Sequence, residues 1–257
     1  MARSKDRSDF APQEGLWVRV VARCALVTAG VDLALFAAFF GMGFDSSVPQ
    51  EYAELVGASR HLAAYRLTAA LDALVWLAMG ATLLAFAGLF ARRTPRRAAF
   101  LAACAAGQLL GAVGGYLRLY PVSELATRYA AATPDQQAAL MQAYLTVAQT
   151  YGAHYGAGQL LYGAGYLLVA STALAFAGFP RWLAGWFALS GAYAVVEQLV
   201  NATGSIFFFA LFPLYTVVGI MALHVATAAV FWRRGVAPAV APGVAAAPAA
   251  VAGAPAR

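Results

Sequence analysis

The chain has 257 residues, 62% of them hydrophobic and only 11% charged, with a formal charge of +6 and a mean hydropathy of +0.69. Soluble domains carry about a quarter charged residues, so this composition excludes a water-soluble globule and requires lipid as the solvent. The positive sign does not imply nucleic acid, because the basic residues stand at the ends of apolar stretches, where they act as topology signals.

A helix needs about 20 mostly apolar residues to cross the hydrocarbon core. After a polar leader, 1–15, with Arg3, Lys5 and Arg7, the first such stretch runs from Leu16 to Phe44. It is too long for a signal-peptide core and ends at no clear cleavage site. Residues 45–66 contain Pro49, Glu51, Tyr52, Leu55 and His61, a pattern that predicts a short interfacial helix. The second span, Leu67 to Phe90, stops at Arg92, Arg93, Arg96 and Arg97, and the third covers Ala98 to Tyr120.

Between the third and fourth spans, Thr133-Pro134-Asp135 reads as an N-cap, a proline in the first turn and an acid at the helix start. A helix begun there is expected to continue without a break into the fourth span, Tyr144 to Ala177. The fifth is Trp182 to Val200. The sixth, Ile206 to Trp232, ends at Arg233-Arg234 and contains Pro213, a predicted kink whose freed carbonyl turns inward. Short links after the second, fourth and fifth spans predict antiparallel hairpins. From Gly235 the chain is Ala, Pro, Gly and Val without periodicity, which predicts a disordered tail over 235–257.

The expected fold is therefore all-α: a polytopic bundle of six transmembrane spans over 16–234. With the N-terminus inside, all basic residues but Arg60, Arg66, Arg118 and Arg128 fall on the cytoplasmic side. The positive-inside bias then places both termini in the cytoplasm and the protein in the cell inner membrane.

In lipid, helices associate largely through close packing of small residues. Gly107, Gly111 and Gly115 form a doubled small-xxx-small stripe in the third span. In the fourth, Tyr151-Gly-Ala-His-Tyr155 recurs eleven residues later as Tyr162-Gly-Ala-Gly-Tyr166. Eleven residues make about three turns, so Tyr144, Tyr151, Tyr155, Tyr162 and Tyr166 share one face. That face is either a groove for a neighbouring helix, with hydroxyls bonded across the bundle, or a tyrosine-lined pocket.

Ionisable groups at membrane depth cost several kcal/mol unless paired or wetted. Asp72, Arg118, His154 and Glu197 fall in the outer half of four different helices, with Gln159 beside His154. If they converge, they line a polar cavity in which Arg118 pairs with Asp72 or Glu197. The competing expectation is an interhelical clamp that fixes bundle geometry. Asp32, Gln108 and His224 are expected to be structural polar groups, and Cys24 and Cys104 small buried residues.

No HExxH, P-loop, dinucleotide glycine run, GxSxG elbow or CxxC occurs, so neither a cofactor nor a metal is expected. Three stretches carry a family likeness: Leu89-Phe90-Ala91-Arg92-Arg93, the Gly- and Tyr-rich segment Tyr151 to Leu168, and Gly178-Phe179-Pro180-Arg181-Trp182-Leu183-Ala184-Gly185 with Ser190-Gly191 following. With them the chain resembles an uncharacterised bacterial family of six-helix integral membrane proteins described only as a domain of unknown function. The resemblance implies a fold and a location and transfers no catalytic residues. The favoured expectation is a non-enzymatic membrane protein that binds or moves a small lipophilic or cationic ligand. The alternatives are an intramembrane enzyme acting on an isoprenoid or lipid, with Asp72 or Glu197 as general acid, and an accessory subunit binding a partner through its glycine faces.

Overall fold

Hydrocarbon offers backbone amides no hydrogen-bond partner, so an apolar chain crossing it has to satisfy them within its own helices. The computed structural model describes residues 14–41, 52–176, 179–201 and 214–236 and contains no strand among them. In chain order the helices are α1 (Glu14–Gly41), α2 (Ala53–Arg60), α3 (Leu62–Phe90), α4 (Pro95–Leu117), α5 (Ser123–Ala131), α6 (Pro134–Ala173), α7 (Arg181–Asn201) and α8 (Leu223–Val236). Two π-helical stretches, Arg118–Val122 and Tyr215–Ala222, lead directly into α5 and α8. Most of the leader, most of the tail and Pro213 lie outside the described residues, as does Ile206, the expected start of the sixth span.

Five segments are long and apolar enough to cross a membrane: Gly15–Phe39, Leu62–Phe90, Pro95–Ala131, Arg181–Asn201 and Tyr215–Arg234. Their outward faces carry Leu26, Leu33, Leu84, Phe100, Leu109, Leu189 and Leu199, all exposed. So many large apolar side chains on the surface suit acyl chains rather than water. The chain is thus an all-helical protein with the makings of a multi-pass membrane protein.

The long helices form a closed ring. α1 packs against α3 and α8, α3 against α4, α4 against α6, and α6 against α7, while α7 touches α8 and the π stretch before it. The link from α3 to α4 is a tight turn in which the Thr94 amide donates to the Phe90 carbonyl at 2.9 Å. Small residues set the closest approaches. A Cβ on Gly163 would lie 2.8 Å from the Gly191 carbonyl oxygen, and one on Gly191 would lie 2.7 Å from that of Gly163, so α6 and α7 cross with backbones nearly touching. The stripe on α4 serves two neighbours rather than one. Gly111 and Gly115 seat Trp76 and Ala73 of α3, whereas Gly107 faces Leu161 of α6. Each four-residue step advances about 40° around a 3.6-residue helix, and eight residues carry the stripe across an inter-helix boundary.

α6 runs unbroken for 40 residues, about 60 Å at the usual rise. Its start is the predicted one: Thr133 caps it, and Gln136 Oε1 accepts the Thr133 amide at 3.0 Å. At one end of the ring, α2 and α5 pack together as a cap, with Leu55, Ala58, Val122 and Ala126 buried against Tyr65 and Tyr144. α2 is the short helix expected between the first two spans. The junction ahead of α5 is π-helical because Pro121 has no amide to donate and its ring would clash with the Leu117 carbonyl in a regular turn. The opposite end is filled by Phe86, Phe90, Phe176, Phe179, Phe187 and Phe231.

Candidate functional site: a charged network beside an interior cavity

Where α3, α4 and α6 meet beneath the cap, one guanidinium organises two carboxylates. Arg118 Nε donates to Glu54 Oε1 and its Nη1 donates to Asp72 Oδ2, each at 2.7 Å. The guanidinium also lies 5.7 Å from the centre of the Tyr65 ring. Arg118 suits this place because its planar fork addresses two oxygens in different directions at once.

Tyrosines complete the shell. Tyr65 donates to Glu54 Oε1 at 2.8 Å and Tyr144 to Glu54 Oε2 at 2.8 Å, and Tyr151 donates to the same Oε2. Tyr155 donates to Asp72 Oδ2. Burial by itself pushes the Glu54 carboxyl up, but the Arg118 charge and the Tyr151 and Tyr65 hydroxyls outweigh it and hold the group at about 2. Hydrogen bonds to the charged form lower a carboxyl in this way.

The stripe on α6 therefore does several jobs along one face. Tyr144 and Tyr151 reach Glu54, Tyr155 reaches Asp72, and Tyr166 bonds His224 Nε2 at 2.7 Å. His224 Nδ1 faces the Ile220 carbonyl at 2.8 Å, so that nitrogen carries the hydrogen and Nε2 is left to accept from Tyr166. Ser190 donates to the Gly219 carbonyl at 2.8 Å, an oxygen of the π-helical stretch ahead of α8. Gln108 ties α4 to α6 through the Gly158 carbonyl at 3.4 Å.

Beside the network lies a cavity of about 330 Å³. Asp32, Phe36 and Phe39 of α1 form one wall, and Thr68, Asp72, Trp76 and Met79 of α3 another. Arg118, Tyr155, Gln159, Tyr162, Tyr215 and Thr216 close it. Trp76 and Tyr155 pack with ring centres 5.7 Å apart.

The structure thus brings Asp72, Arg118, Tyr155, Gln159 and Tyr162 to one cavity, and it adds Asp32, which the sequence suggested only as a structural group. Glu197 does not reach Arg118. It is buried on α7, accepts a hydrogen bond from Gln159 Nε2, and Gln159 Oε1 in turn accepts one from Gln198 at 2.7 Å. His154 turns back on its own helix, toward the Thr150 carbonyl at 2.8 Å, and does not line the cavity. Tyr151 belongs to the Glu54 shell rather than to the cavity wall.

Glu54 is the residue that the sequence reading missed. An acid on an eight-residue helix between spans looks like a solvated one. The available signal was the number of tyrosines on the inward face of α6: Asp72 alone could not accept from all of them, so a second buried acceptor was needed. For a general-acid role, Asp72 is poorly placed, since its Oδ2 already accepts from both Arg118 and Tyr155.

Neither the curated proteins nor the solved structures contain a match to this chain. The family model for a domain of unknown function, DUF4386, matches residues 28–233, which takes in α1 from Thr28 through Arg233 of α8 and every residue of the network and cavity. The chain belongs to the DUF4386 family.

Proposed function

We propose that this protein is a six-span protein of the cell inner membrane, with both termini cytoplasmic, that holds a small lipophilic ligand in its interior cavity. The observation that carries this reading is the cavity itself: an aromatic and aliphatic chamber of about 330 Å³ with a charged network on one side. Ligand sites are usually concave, mostly apolar and equipped with a few convergent polar groups. Volumes of this order suit a compact molecule rather than a whole phospholipid.

The sixth span is α6. Its tyrosines, glycines and glutamines leave it outside the five segments apolar enough by composition, yet it packs between α4 and α7. The arginine-rich α3–α4 turn and the end of α8 with Arg233 and Arg234 mark the cytoplasmic side, which puts the α2–α5 cap and the Arg118 network on the outer side.

Two measurements test this. Gently purified protein is expected to retain a small lipophilic molecule detectable by mass spectrometry, and Met79→Trp, which fills the chamber, is expected to release it while the protein stays folded. Retention of the same molecule by both proteins would place it on the lipid-facing surface and end the proposal. Single cysteines at Arg93 and Arg128 should label from the cytoplasmic and the outer side respectively; the reverse result overturns the orientation.

A further inference from the structure

Asp32 stands apart from the other carboxylates. Glu54 and Asp72 each receive the Arg118 guanidinium and at least one tyrosine hydroxyl. Asp32 is 2% exposed, in the middle of α1, and its Oδ2 is buried with no hydrogen-bond partner among the described residues. The Thr216 hydroxyl, across the same cavity, is buried and equally unpartnered there. Natural proteins rarely leave such groups unsatisfied, and a buried carboxylate least of all.

Charge points the same way. Among the described residues lining the cavity, Arg118 is the only cation, and it is already shared between Glu54 and Asp72. Asp32 therefore adds a carboxyl to a site in which acids already outnumber bases. Aromatic side chains line the same cavity, Phe36, Trp76, Tyr155 and Tyr215 among them, and aromatic rings attract cations through their quadrupoles. A divalent metal is poorly matched, because it takes six or more oxygen ligands or a set of nitrogen and sulfur donors. An ammonium needs only a few acceptors, and its hydrocarbon body gains from the apolar walls.

We propose that Asp32 is the counter-ion for a lipophilic monocationic amine, whose ammonium pairs with the Asp32 carboxyl at the cavity wall and whose apolar body fills the cavity. This inference rests on the cavity being a ligand site, as proposed above, and adds the charge and polar head of the occupant. The arrangement is selective by electrostatics: a neutral analogue of the same shape fills the chamber but leaves the carboxylate without its cation, and an anion meets an excess of acids.

The test uses the full-length protein in lipid nanodiscs and two probes of matched shape, phenylbutylamine and phenylbutanol, with binding measured by equilibrium dialysis. Both probes can donate a hydrogen bond to the carboxylate, but only the ammonium adds the attraction of opposite charges, which is strong where water is scarce. The wild-type protein is therefore expected to bind the amine about tenfold or more tightly than the alcohol. Asp32→Asn is expected to erase that preference by lowering amine affinity about tenfold more than alcohol affinity. Equal affinity of the wild type for both probes overturns the amine assignment while the cavity reading stands, and so does an amine preference that survives in Asp32→Asn. Binding of neither probe to the wild type overturns both. Should Asp32→Asn fail to fold, the wild-type comparison between the two probes decides alone.

Discussion

The two ends of the bundle solve the same packing problem with opposite chemistry. At the arginine-rich end, Phe86 is the hub of a set of rings: Phe187 and Phe231 meet it edge-on at 5.4 and 5.7 Å, Phe90 stacks at 5.8 Å, and Phe176 packs on Phe90 at 5.0 Å. At the capped end, Arg118 is the hub, and its neighbours are acids and tyrosine hydroxyls. Rings hold through many small contacts that tolerate slight displacement. The polar end holds through a few directional bonds, each dependent on its partner, so the loss of one member strands the others. The phenylalanine end is built to be robust, and the capped end to be specific. It is the specific end that borders the cavity.

That contrast can be broken experimentally. The largest effect is expected for Arg118→Met, which leaves Glu54 and Asp72 buried without their cation and lowers stability by about 3–5 kcal/mol; loss of monodisperse protein on size-exclusion chromatography reads it directly. If Arg118→Met behaves like wild type, the network is not what fixes the cap.

Next in size is the effect of acid. The folded-state Glu54 carboxyl titrates at about 2, below its ordinary value of 4.5. Its contribution is therefore fully present above about pH 4.5 and disappears as the pH falls toward 2, with an upper bound on the order of 3 kcal/mol. Hydrogen exchange should show α2 and α5 loosening through that window while the Phe86 end stays protected. Glu54→Gln should remove the dependence. Uniform loosening of the whole bundle would deny the cap its separate electrostatic lock.

A smaller change, about 2 kcal/mol, is expected for Phe86→Ala. In lipid the displaced ring does not return to water, so the transfer term largely falls away and the cost is the cavity left behind. The difference in thermal inactivation between this variant and the wild type should stay the same from pH 3 to 7, because the Glu54 network is intact in both. The smallest change belongs to Tyr144→Phe, which removes one of several bonds to Glu54 and costs about 1 kcal/mol. A loss as large as that from Arg118→Met would mean that Tyr144, not Arg118, is the hub.

Much of the architecture was legible in the residues because lipid imposes strong rules. Long apolar runs bounded by arginines reveal helices and suggest their sidedness; Thr133-Pro134-Asp135 announces the start of α6, and the eleven-residue Tyr-Gly repeat marks its inward face. These are local properties, set by backbone hydrogen bonding, helix periodicity and the cost of placing charge in hydrocarbon. Pairing is not local. Whether Arg118 meets Asp72 or Glu197 depends on how α4 rotates between α3 and α6, and only the seating of Trp76 on Gly111 and of Ala73 on Gly115 decides it. For the same reason nothing in the sequence singled out Glu54, 64 residues away from Arg118 along the chain, and Asp32 looked structural until packing placed it on the wall of a chamber. Composition and periodicity determined that there would be a membrane bundle with costly polar groups inside. Tertiary packing alone decided which of those groups find a partner within the described protein and which, Asp32 Oδ2 among them, do not.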